Sequence, residues 1–221
     1  MKPTVSLIAA GVAAMLAACG NNPPVPDWQM NAQSSIERST AAYMTGNARV
    51  EDAEYKRARD ALGSTGKVDL IIRAELIRCA ARVAALVFED CPGFDKLAPD
   101  ASPADRAYAA YLSGRATGAD AALLPAQHQP VAAAPSDMAA ASAVQAIADP
   151  LSKLVASGVL LRANKATPAL LADAVKTASA QGWRRPLLAW LGVQAMRAEQ
   201  AGDAAEAQRI KRRIDLVSNR P

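Results

Sequence analysis

The chain has 221 residues, 51% of them hydrophobic and only 4% aromatic, with 25 basic residues against 21 acidic ones and a single histidine. That length supports one large or two small hydrophobic cores. Alanine dominates, and few β-branched or aromatic runs are available for strands, which predicts an all-α protein. One histidine leaves only His128 on which a Ser-His-Asp or Cys-His site could be built.

The N-terminus opens with Lys2, and residues 4–18 carry no charge. This run reads as a signal-peptide h-region, shorter than the ~20 apolar residues a spanning helix needs. No other run is as long, apolar and uncharged, so the mature chain is expected to lack a transmembrane helix. The run ends in Leu16-Ala17-Ala18-Cys19. Ala17 and Ala18 are small enough for a peptidase to bind the chain in extended form, and Cys19 offers a sulfur. The stretch resembles the lipobox of a bacterial lipoprotein precursor. The resemblance implies cleavage between Ala18 and Cys19, a diacylglycerol thioether on Cys19, N-acylation of the new terminus, and no other cofactor. Two or three acyl chains would anchor the protein stably, since one alone binds marginally. In such lipoproteins Asp directly after the cysteine favours the inner membrane. Gly20 stands there instead, which implies the outer membrane facing the periplasm. The competing reading is an ordinary secretory signal with Cys19 a bystander.

Removal of residues 1–18 leaves 203 residues and a net charge of +3. The lipidated tether spans 19–26, and three of its last seven residues are proline, so it should stay extended. Helical hairpins are then expected over 27–115, an Ala/Pro-rich loop or linker over 116–135, and further hairpins with a basic end over 136–221. Asp27 is the expected N-cap of a first helix to Thr45, closed by Gly46. Asn47 caps a second to Leu62, and Gly63 to Gly66 form a turn. The third, Val68 to about Leu86, shows the best apolar stripe: Ile72, Leu76, Cys79, Ala80, Val83 and Val87. Glu75, Arg78 and Arg82 share another face, read as solvated, with Glu75 and Arg78 an i,i+3 pair. A fourth runs from Pro103 to Gly114. His128 lies in the proline-interrupted 116–135 segment and reads as an exposed bystander. Beyond it, Ser136 or Asp137, Asp149-Pro150, Thr167-Pro168, Arg185-Pro186 and Asp203 start five more helices. The total is about nine helices joined mostly by short turns.

Cys79 and Cys91 are the remaining cysteines. An oxidising compartment favours a disulfide between them over two buried thiols, and the link closes easily if the third helix stops near Leu86. Two cysteines and a distant His128 do not make a metal ligand set. Arg209, Lys211, Arg212 and Arg213 concentrate positive charge near the C-terminus, either as a contact for an anionic surface or as a solvated helix face. Export argues against nucleic acid as a partner.

Two hairpins, Ser35 to Gly63 and Leu188 to Val217, resemble tetratricopeptide-type units. Tyr55 and Ala58 in the first, and Ala207 after Gly202 in the second, sit at that repeat's spacings. The resemblance implies an antiparallel hairpin array, solenoid-like or an irregular bundle, and carries over no functional residue. There is no Gly-x-Ser-x-Gly elbow, phosphate loop or His-Glu-x-x-His. The sequence thus predicts no catalytic residues and a membrane-anchored, protein-binding scaffold whose partner is another envelope protein. The competing expectation is a cell-wall or lipid-handling module, perhaps enzymatic, with a site between the helical halves.

Overall fold

The computed structural model describes residues 24–218. The lipobox Leu16–Cys19 lies outside the described residues. Those described form an all-α fold with nine helices of seven or more residues and no strand. We number the helices α1 Asp27–Thr45, α2 Ala48–Gly63, α3 Val68–Ala84, α4 Pro92–Asp95, α5 Pro103–Leu112 and α6 Gln129–Ala132. They continue as α7 Asp137–Gln145, α8 Pro150–Arg162, α9 Pro168–Ala180, α10 Arg184–Gln200 and α11 Ala204–Ser218. None of these is long and apolar enough to cross a membrane.

Local chemistry fixes most starts. The side chains of Asn47, Ser136, Asp149, Thr167 and Asp203 each accept a hydrogen bond from the backbone N–H three residues on. Each bond satisfies a donor that the first helical turn cannot pair internally. Ser102 and Asp105 close a reciprocal capping box at α5. Two expected starts shift. Pro26, at φ −58° and ψ 142°, occupies the cap position of α1, and Asp27 falls inside the first turn, where its charge suits the dipole. Trp183 precedes α10, which therefore begins one residue earlier than Arg185.

The α1–α2 and α10–α11 pairs are antiparallel hairpins, and α9 and α10 pack as neighbours. Between them, α3 packs against α8, and α10 against α1. A solenoid repeat touches only its sequence neighbours, so these long-range pairings make the array an irregular bundle. The main core runs through both halves, from Met44, Ile72, Leu76 and Val83 to Leu154, Leu171, Trp190 and Leu191. At the α3–α8 crossing, a Cβ on Gly158 would collide with the Val83 carbonyl. Trp190, fully buried, donates its indole N–H to Ala84 O at 3.0 Å and pins α10 to the end of α3.

Segment 116–135 is not a spacer. It holds a capping box at Thr117 and Asp120, a 3-10 turn over Gly118–Leu123, and α6. It buries Ala121, Leu124, His128 and Val131. His128, expected to be exposed, is 1% exposed. Its ring lies 5.0 Å from that of Tyr111 and 5.8 Å from that of Tyr108, centroid to centroid. Prolines here serve as first-turn residues and bends of a packed strap, because the apolar residues between them have a core to enter.

A candidate partner-binding groove

Charge complementarity between three helices builds the most elaborate polar feature. Glu51 and Glu54 are three residues apart on α2, and Glu75 sits on α3. All three are buried, at 5%, 7% and 5% exposure. Burying a carboxylate unpaired is prohibitive, and arginines supply the pairing. Glu51 accepts from Arg78 Nη2 at 3.2 Å and Arg82 Nη2 at 3.1 Å, and Arg78 also reaches Asp52 at 3.1 Å. Glu54 accepts from Arg38 on α1 at 3.0 Å and Arg57 at 2.7 Å. Glu75 pairs with Arg59. The expected Glu75–Arg78 pair is therefore replaced by two interhelix ones, and the face read as solvated is half a buried network. Burial alone would raise the Glu54 carboxyl. The hydrogen bond and charge of Arg38, helped by Arg57, hold it below the usual carboxylate range.

Aromatic faces complete the arginine sites. The Arg78 guanidinium lies 4.3 Å from the Tyr55 ring centroid. Arg82 and Arg185 lie 5.0 Å and 4.3 Å from that of Tyr43. The Tyr55 hydroxyl is buried beside Glu75, outside hydrogen-bond geometry. Burial and then the Glu75 charge push its pKa well above the ordinary value.

Beside this network an open cleft of about 550 Å³ runs between α2, α3 and residues 89–93, and Glu75 is the one of the three buried carboxylates that lines it. Its walls carry Lys56, Arg59, Arg78, Asp52, Asp60 and Glu89, so charges of both signs line it. The far wall is held by a disulfide between Cys79 and Cys91, whose Cα atoms are 5.9 Å apart. The link closes because Leu86 takes a left-handed conformation, φ 60°, just past the end of α3. The N–H of Val87 then bonds to Arg82 O, and the chain reverses. Gly93 has no Cβ because the Glu75 carboxylate fills that position.

Nothing matches this chain in comparisons with known protein families, with curated proteins or with solved structures. Its chemistry must be read from its own residues.

The other sequence-predicted positions lie elsewhere. Arg209 pairs with Glu206 at 2.7 Å and Lys211 with Glu199 at 2.6 Å, so half of the basic quartet on α11 is neutralised in place. Arg212 and Arg213 are exposed and make no ion pair among the described residues. One motif escapes a sequence reading that sees only a turn. Ser64-Thr65-Gly66-Lys67 has the Ser-x-x-Lys spacing, but the Ser64 hydroxyl donates to Ala61 O at 2.8 Å, on an exposed turn. The junction of the two halves holds a pocket of about 150 Å³, with Tyr111 of α5, Val159 of α8 and Lys165 in its wall. Drug-sized ligand sites run to roughly 300–1,000 Å³. The Glu51–Arg78–Arg82 cluster was missed although Glu51/Glu54 and Arg78/Arg82 recur at helical spacing. That complementarity between consecutive helices was the available signal.

Proposed function

We propose that this protein is a lipoprotein anchored through Cys19 to the outer membrane, where it faces the periplasm. In this reading it is a non-catalytic scaffold that holds an envelope protein in the α2–α3 groove. The observation that carries it is the groove itself: open, lined by charges of both signs, with the buried Glu75 already paired to Arg59. Glu75 is committed to its ion pair with Arg59, and a rim that carries both signs suits selective protein recognition. His128, sealed between Tyr108 and Tyr111, faces no groove. The small pocket at the junction of the halves is the place for the competing ligand-handling role, and its size makes that role second.

The test is photo-crosslinking in intact cells from an unnatural residue at Lys56, on the groove wall, against one at Gln194 on α10. A single envelope protein captured from Lys56 and lost on Arg59→Glu is the expected result. No product from Lys56, together with turnover of a cell-wall substrate by the purified protein, would favour the enzymatic alternative.

A further inference from the structure

The first halves of α1 and α3 lie side by side with an apolar groove between them. Trp28, Ala32 and Ile36 form one wall and Leu70, Ala74 and Ile77 the other, enclosing about 580 Å³. Near the starts of α1 and α3, Val25 and Met30 are each 51% exposed and Val68 41%. Lys67 and Arg73 stand on the rim with Glu37 and Asp69, and Asp69 pairs with Arg73 at 3.9 Å. A clustered apolar surface, unlike single exposed residues, marks a contact.

Its position identifies the contact. Cys19 is five residues before Pro24, and five residues span at most about 18 Å. The tryptophan end of α1 is therefore confined close to whatever holds Cys19. The basic end of α11 is at the opposite pole. Arg185 bonds to Tyr43 O at 2.8 Å, and the neighbouring Arg184 to Ser218 O at 2.8 Å, which places the end of α11 beside the end of α1. Trp28 and Tyr43 are 15 residues apart in α1, about 22 Å along its axis.

We propose that the tether-proximal end of the fold seats on the phospholipid surface, with Trp28, Met30 and Val68 at headgroup depth. The inference rests on lipidation of Cys19. Tryptophan favours this interface because its ring is apolar and its N–H polar, and a rim of mixed charge with Lys67 at its edge suits zwitterionic and anionic headgroups. Arg212 and Arg213 then point away from the membrane, and so does any partner they meet.

The acylated protein is incorporated into phosphatidylethanolamine–phosphatidylglycerol vesicles whose acyl chains are brominated near the headgroup, and tryptophan emission is compared with that in unbrominated vesicles. Trp190 is fully buried and Trp183 lies at the far pole, so both serve as internal references. The expected result is partial quenching that disappears in Trp28→Phe. Unquenched emission from protein that carries the acyl mass and floats with the vesicles overturns the seating and leaves the lipoprotein reading intact. Quenching unchanged in Trp28→Phe means another face meets the lipid and also overturns it. Crosslinks from Met30 to a second copy, without quenching, assign the groove to self-association. Absence of both acyl mass and flotation overturns the seating and the lipoprotein reading together.

Discussion

His128 is the residue whose environment most alters its chemistry. Burial holds its pKa down at about 4, and the charge of Asp149 only partly opposes this. Its Nδ1 lies 3.3 Å from the Tyr111 hydroxyl. In the unfolded chain the ring titrates near its ordinary 6.5. The folded pKa is depressed, so below pH 6.5 the unfolded state binds the extra proton. The stabilisation is complete above that pH and declines as pH falls toward 4. A shift of this size corresponds to about 3 kcal/mol at most. Urea unfolding between pH 7.5 and 4 should show this decline, and His128→Gln should remove that part of it. A decline of equal size in His128→Gln would assign it to the carboxylates instead. Tyr111 makes the contact tolerable, because its hydroxyl can donate to the neutral ring.

At the scale of elements, the decisive contact is α3 against α8. Glycine inside a helix is normally worse than alanine by about 1 kcal/mol. Gly192, exposed in α10 with nothing near its missing Cβ, follows that rule, so Gly192→Ala should raise stability by about 0.5–1 kcal/mol. Gly158 reverses it. Its Cβ would meet the Val83 carbonyl, which is backbone and cannot swing aside. Gly158→Ala should therefore lower stability by about 1–3 kcal/mol, the range for overpacking. Thermal denaturation of the two variants checks the opposite signs; equal signs would mean the helices are not in close contact. The caps at Asn47, Asp149, Thr167 and Asp203 were legible in the sequence because a cap is a bond across three residues. Glu75's partner and the burial of His128 were not. Each is set by a neighbour on another element: Arg59 on α2, and Tyr108 and Tyr111 on α5. The ambiguous lettering of 116–135, proline-rich yet apolar, has the same cause. Its fate depended on whether a core stood beside it.

For the whole molecule, one core shared by α3, α8, α9 and α10 makes the two expected halves a single body. That rigidity matters to the proposed role. A scaffold tethered by a short segment transmits its orientation to a partner only if groove and anchor end are fixed relative to each other. The groove lies on α2 and α3, and the anchor end is formed by the same α3 with α1, so one helix carries both. The proposed role depends on an anchor at four residues, Leu16 to Cys19. The direct test is the intact mass and partition of the protein extracted from membranes of the native host or a Gram-negative expression host. The account predicts a chain beginning at Cys19, heavier by a diacylglycerol and an N-acyl group and retained in the membrane. Cys19→Ser should yield unlipidated protein, either with its signal uncleaved or soluble. Wild-type protein without acyl mass, or membrane retention and mass unchanged in Cys19→Ser beyond the substituted atom, would contradict it.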